Sequence, residues 1–186
     1  MTSIFSAFGL SASAGLNAYI PLLVVSLLAR FTDLIELSSP WDTLESWWII
    51  GLLVILSLIE FFADKILAVN HVNDAIQTFV RPAAGAIVFA ASTQTATKVH
   101  PVLAMAAGLL VAGGVHAVKS LAVRPAVTAT TGGAGNVPVS VMEDVISTVL
   151  SIISVVIPIL IGSILILITA WVVWLLWRRA NSISAA

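Results

Sequence analysis

The chain has 186 residues, of which 60% are hydrophobic and 9% charged, with a net charge of −1 and no cysteine. A soluble domain carries about 25% charged residues, so this composition excludes one and points to a polytopic membrane protein. The missing cysteines exclude disulfides, thiolate catalysis and cysteine metal sites, and the absence of a basic surface excludes nucleic acid as a partner.

The first apolar segment runs from Ile4 to Ala29. No basic residues precede it, so it reads as a span and not a cleaved leader. Ser11, Ser13, Gly15, Asn17 and Pro21 crowd into eleven residues of it. Small residues let helices approach closely. Asn17 is different, because its amide needs partners, and a break at that point would have to face protein or a water-filled cavity. An acidic, proline-containing interfacial loop follows.

The second segment, Trp47 to Val69, carries Glu60 near its middle and Asp64 one turn later. A carboxylate at membrane depth costs about 2.5–3.5 kcal/mol on insertion scales. It therefore needs a partner, a proton or a wet cavity. Residues four apart share a helix face, and Lys65 can neutralise part of the charge. Two readings stand side by side: an ion, proton or solute site, or a buried salt bridge that locks helix packing.

The third segment runs from Ala75 to Thr97 and the fourth from Pro101 to Val123, joined by a turn so short that they must be antiparallel neighbours. The ridge Ala104, Gly108, Ala112 on the fourth suits close helix packing. The fifth segment, Val145 to Trp177, measures about 50 Å as a helix, against a hydrocarbon core of about 30 Å. Pro158 and Gly162 interrupt it, so a tilted, kinked helix and a helix broken in two are both open. Before it lies a glycine-rich stretch with Gly132, Gly133, Gly135 and Asn136, read as a loop. Ser140 and Glu143 match a capping box opening the fifth helix.

Five alternating crossings gather the polar chemistry on one face. It comprises Asp64, Lys65, Asn70, His71, Asn73, Asp74, Arg81, His116, Lys119, Arg124, Glu143 and Asp144. Trp47, Trp48, Trp171, Trp174 and Trp177 fall on the other, as an interfacial belt. Basic residues tie between the two faces, and the loop-exposed ones place the tryptophan face towards the cytoplasm. Gly9-Leu10, Gly15-Leu16-Asn17-Ala18 and Leu22 align on Gly108-Leu109, Gly114-Val115-His116-Ala117 and Leu121. This pattern describes two inverted repeats, residues 1–97 and 98–180, within one transmembrane domain. Transporters build sites where the interrupted helices of such repeats meet.

The expected ion or solute-binding residues are Glu60, Asp64, Asp74, Arg81, Lys119, Asn136 and Glu143, with Asn17, Lys65, His71, His116 and Asp144 behind them. Glu60, Asp64 and Asp74 could hold a hard cation. No zinc motif and no phosphate-binding loop is present, and no nucleophile–base pair marks an enzyme. The metal and any cofactor stay unassigned.

Glu60, Ala63-Asp64-Lys65-Ile66, Asp74, Thr78-Phe79 and Arg81-Pro82-Ala83-Ala84-Gly85-Ala86 together resemble one family. Gly9-Leu10, Gly15-Leu16, Gly132-Gly133, Asn136, Pro138, Ser140 and Glu143-Asp144 strengthen the likeness, which covers nearly the whole chain. The family is a group of bacterial integral membrane proteins known only as a domain of unknown function (4126). The resemblance implies a compact multi-span protein of the bacterial inner membrane and no established activity. The expected fold is thus all-α with about five transmembrane helices, some broken or kinked. The expected function is a small transporter or channel for an ion or polar solute, acting as a homo-oligomer in the lipid bilayer. The alternative is a structural or accessory subunit of a larger membrane complex.

Overall fold

The computed structural model describes residues 4–65, 67–94 and 99–183; the side chains of 67–72, 94, 158–170, 172–173, 175–177 and 179–183 lie outside the description. All regular elements of the described chain are helices. Helix α1 (Ile4–Leu16) is followed at once by α2 (Tyr19–Phe31). A 3₁₀ turn, Trp41–Glu45, leads to α3 (Trp47–Ala63), which Ser46 caps by accepting from the Ile49 amide. Then come α4 (Leu67–Gln94) and α5 (Pro101–Val118). The latter passes through one π-helical turn, Lys119–Val123, into α6 (Arg124–Thr131). Helix α7 (Asn136–Ile183) completes the chain.

Among the described residues, three stretches are long and apolar enough to cross a membrane: Asn73–Thr93, Pro101–Thr131 and Asn136–Ile157. Ile4–Leu16, Tyr19–Phe31 and Trp47–Ala63 are shorter apolar helices. Apolar side chains such as Phe79, Leu110 and Leu121 are largely exposed, as expected where lipid and not water is the solvent.

The core is built from small residues. Helix α1 sits against α4, α5 and α7. It buries Ala7, Leu10, Ala14 and Gly15 together with three serines, Ser6, Ser11 and Ser13. The expected ridge on α5 is there: Ala104, Gly108 and Ala112 are buried. It meets α4 at glycine, because a Cβ on Gly108 would stand 2.3 Å from the Gly85 carbonyl oxygen. Ser11 donates to that same carbonyl at 2.9 Å. Against α7, Ser13 Oγ lies 2.7 Å from both Ser147 Oγ and Ser151 Oγ. In a lipid environment, such packing and interhelical hydrogen bonds replace the hydrophobic drive of a water-soluble core.

Four sequence-based boundaries change. The first segment is two half-helices, broken at Asn17. The second ends at Ala63, with Asp64 as its C-cap, so Glu60 lies in the last turn and not at mid-span. Helix α4 begins at Leu67, well before Ala75, and takes in the polar stretch that holds His71 and Asp74. The glycine-rich stretch is only a tight turn, since α6 reaches Thr131 and α7 starts at Asn136. Gly132 and Gly133 make that turn with φ of 62° and 91°, a region that suits residues without a Cβ. The expected capping box is therefore absent: Ser140 and Glu143 lie inside α7. The fifth segment is one helix, its backbone helical through Pro158 and Gly162.

Candidate functional site: a buried ion network at a broken helix

The break between α1 and α2 fixes the site. A helix start leaves N–H groups without partners, and a helix end leaves carbonyls. Here side chains supply both. Asn17 Oδ1 accepts from the Tyr19 and Ile20 amides, each at 3.1 Å. The Glu60 carboxylate accepts from the Ala18 amide at 3.2 Å. Lys119 Nζ donates to the Leu16 carbonyl at 3.2 Å. An anion thus faces the positive end of α2 and a cation the negative end of α1, the favourable arrangement for both dipoles.

From these two residues the network spreads. Arg81 on α4 is fully buried and binds Glu60 Oε1 through Nη2 at 2.8 Å and through Nε at 3.2 Å. The same Nη2 lies 3.5 Å from Asp64 Oδ2. Glu60 and Asp64 therefore do share a face, and both are turned away from lipid, 1% and 3% exposed. Asp64 is the hub. Its Oδ2 meets Arg124 Nη2 at 3.1 Å, Lys119 Nζ at 3.8 Å and Ser140 Oγ at 3.5 Å. Asn73 Nδ2 donates to its other oxygen at 2.6 Å.

Arg124 reaches further, to Asp74 Oδ2 at 3.1 Å and Glu143 Oε2 at 3.6 Å. Lys119 Nζ stands 2.7 Å from Glu143 Oε2. Asp144 takes Lys65 at 3.0 Å and the Asn17 amide at 2.9 Å. His116 lies beside the network, with Nδ1 3.3 Å from Arg81 Nη1 and Nε2 3.2 Å from Thr78 Oγ1. Facing a guanidinium, which can only donate, Nδ1 must be the acceptor.

Of the expected site residues, Glu60, Asp64, Asp74, Arg81, Lys119 and Glu143 come together in one ion-pair cluster with His116 beside Arg81, and Lys65, Asp144 and Asn17 form a second group of their own. Asn136 does not join them. Its side chain is paired with Thr128, Nδ2 donating at 3.0 Å, because α7 starts there and holds the residue at the turn. The His71 side chain lies outside the described residues. Sequence reasoning puts Arg124 and Asn73 on the polar face but not among the binding residues. The signal for Arg124 was present: Arg124-Pro125 repeats the Arg81-Pro82 pair. Asn73 is marked only by its place on the polar face.

Chemically, the cluster is an ion-pair lattice of unequal charge. Among the described residues, its ion pairs set five carboxylates, Glu60, Asp64, Asp74, Glu143 and Asp144, against four cations, Lys65, Arg81, Lys119 and Arg124. Among the described residues no three His, Asp or Glu side chains are grouped to hold a metal ion. The reason is local: arginine and lysine already stand between Glu60, Asp64 and Asp74.

These features define a helical protein with membrane-length apolar helices packed around a buried ion lattice at a broken helix. The chain belongs to the family described as Domain of unknown function (DUF4126), whose family model matches residues 4–178. No curated protein and no solved structure matches it.

Proposed function

We propose that the protein is a small transporter or channel of the bacterial cytoplasmic membrane, with the buried carboxylates as its proton or cation site. The observation that carries this reading is the charge imbalance at the helix break. Among the described residues five carboxylates face four cations, and an uncompensated buried charge is costly enough to take up a counter-charge or lose its own. A proton or a monovalent cation balances the lattice. Half-helix ends that point into such a site are the working parts of many secondary transporters. Five crossings, with α1 and α2 together as the first, and a homo-oligomeric unit complete the proposal.

The test is flux in liposomes of neutral lipid carrying an internal pH dye. Wild type dissipates an imposed pH gradient or one of sodium or potassium. Glu60→Gln, which keeps the shape and an acceptor for Arg81, abolishes the flux while the protein still inserts. Wild-type flux in the variant would remove Glu60 from the site. No flux in wild type with any of these ions would sink the reading.

The accessory-subunit reading has its own support. Every cation of the lattice already has a carboxylate within 3.1 Å, as in a lock that fixes helix positions. A stable complex with other membrane proteins after mild solubilisation, combined with absent flux, is the result that would favour it.

A further inference from the structure

The inward stripe of α5 changes its step at one place. Ala104, Gly108, Ala112 and His116 are buried at a spacing of four, and Lys119 follows at three. The next buried residue is Arg124, five further on. In an α-helix, residues five apart point about 140° away from each other. Here Lys119 and Arg124 meet the same two carboxylate oxygens. Asp64 Oδ2 takes them at 3.8 and 3.1 Å, and Glu143 Oε2 at 2.7 and 3.6 Å. The π turn makes this possible. The Arg124 amide donates to the Lys119 carbonyl, so one extra residue is stored between the two cations and Arg124 is brought back to the inward face. Such turns are rare and occur mostly singly, at functional positions inside α-helices.

The surroundings leave the turn room to rewind. Of the described residues of α6, Arg124 alone is buried, so this side chain anchors the helix in the protein. The far end of α6 is the turn with Gly132 and Gly133 at positive φ. The Thr128–Asn136 contact across that turn is exposed, where water can take its place. Beside the π turn lies a cleft of about 540 Å³ between α5 and α7, with Val118 and Val123 in its wall. A rewound turn therefore has open space next to it. Wound as α-helix, the inward position four after Lys119 belongs to Val123, which is 40% exposed in the present register. Arg124 would then leave the carboxylates.

We infer that the π turn is a register switch for the carboxylate site: wound as π-helix it sets Arg124 on Asp64, and wound as α-helix it takes Arg124 away. Arg124 is the nearest cation to Asp64, at 3.1 Å against 3.5 Å for Arg81. Among the described residues it is also the cation paired with Asp74. Its departure opens both carboxylates at once to a proton or cation, while Lys119 keeps Glu143 and the Leu16 carbonyl. The long Arg124 side chain, once released, extends to the polar interface. The purpose of the switch rests on the transport reading, but the register change itself is measurable without flux.

Two variants lock the register. Deletion of Leu121 removes the extra residue, so that Arg124 follows Lys119 by four in an α-helix. The exchange of Val123→Arg with Arg124→Val does the same at full length. Both should fold, melt at or above the wild-type temperature and carry at least tenfold less ion flux in liposomes. Nitroxides at Phe79→Cys on α4 and Ala129→Cys on α6, both exposed positions, report the register by double electron–electron resonance. Wild type should show two distances and each locked variant one. Asp74→Asn, which takes a carboxylate from Arg124, should raise the share of the second distance. A single distance in wild type that Asp74→Asn leaves unchanged would overturn the inference, and it decides the matter even if neither locked variant folds. Wild-type flux in a folded locked variant would overturn it as well. Two distances in a wild type that carries no ions would overturn the transport reading alone. Flux in a wild type with a single distance would overturn the switch alone.

Discussion

Glu60 has three partners at once: the Ala18 amide and two nitrogens of Arg81. None is replaceable by water at 1% exposure. Removing one member of a buried pair leaves the other charge uncompensated, at a cost of about 3–5 kcal/mol. Glu60→Ala should therefore lower the thermal stability of the detergent-solubilised protein sharply, because Arg81 is left facing Asp64 only at 3.5 Å. Glu60→Gln should cost much less, since its amide oxygen still accepts from Ala18 and Arg81. Equal melting temperatures for the two variants would mean that Arg81 finds another partner. This residue-level picture was half legible in the sequence. Desolvation alone marks Glu60, Arg81 and Lys119 as residues that cannot face lipid. It cannot say which cation meets which carboxylate. That depends on α4 and α5 placing Arg81 and Lys119 on either side of Asp64, a tertiary matter. Asn136 misled for the same reason: a glycine-rich stretch reads as a loop free to fold over a site, whereas here it is a tight turn that pins Asn136 to Thr128.

Helix α1 is only 13 residues long, about 20 Å, too short to cross a bilayer alone. Its continuation in α2 depends on Asn17. Removing a side chain that caps a helix start costs about 0.5–2 kcal/mol. Asn17 also donates to Asp144, so Asn17→Ala should sit at or above the top of that range in thermal denaturation, and Asn17→Asp should recover the cap but not the Asp144 contact. A loss of a few tenths only would show that Glu60 alone holds the break. Between α4 and α5 the sensitive element is the glycine contact. A Cβ on Gly108 would fall 2.3 Å from a backbone oxygen, which cannot rotate away as a side chain does. Overpacking of this kind costs about 1–3 kcal/mol, so Gly108→Ala should destabilise while Gly114→Ala, six residues on in the same helix, should not. Comparable melting of the two variants would contradict the close α4–α5 approach. The ridge of small residues was readable beforehand, since its spacing of four is a helix repeat. The end of α3 at Ala63 was not. Residues 47–69 are apolar enough to pass as one span, and only the capture of Asp64 by Arg81, Lys119 and Arg124 makes a helix end there favourable.

At the scale of the whole molecule, a five-crossing arrangement makes a prediction about sidedness. If α1 with α2, then α3, α4, α5 with α6, and α7 each cross once, the loop that holds Thr43 and the turn that holds Ala134 lie on opposite membrane faces. Both residues are exposed, and the chain has no cysteine of its own. Thr43→Cys and Ala134→Cys can therefore be labelled singly with an impermeant maleimide, on intact cells and on inverted vesicles. The expectation is that each labels from one side only and that the sides differ. His100→Cys, in the exposed connection ahead of α5, should follow Thr43. The charge lattice then belongs to the Ala134 side. Asp64 caps the end of α3, Arg124 opens α6, and Glu143 lies within two turns of the start of α7. Tryptophans occupy the Thr43 side, where Arg30 stacks on Trp47 at 4.2 Å, an anchor typical of the interface. Labelling of Thr43→Cys and Ala134→Cys from the same side would refute five crossings. It would mean that α1 and α2 form a re-entrant pair, or that α3, at 17 residues, does not cross. The lattice would keep its geometry in that case, but it would no longer lie towards one membrane face with the tryptophans at the other. A site reached from the Ala134 side would lose its basis.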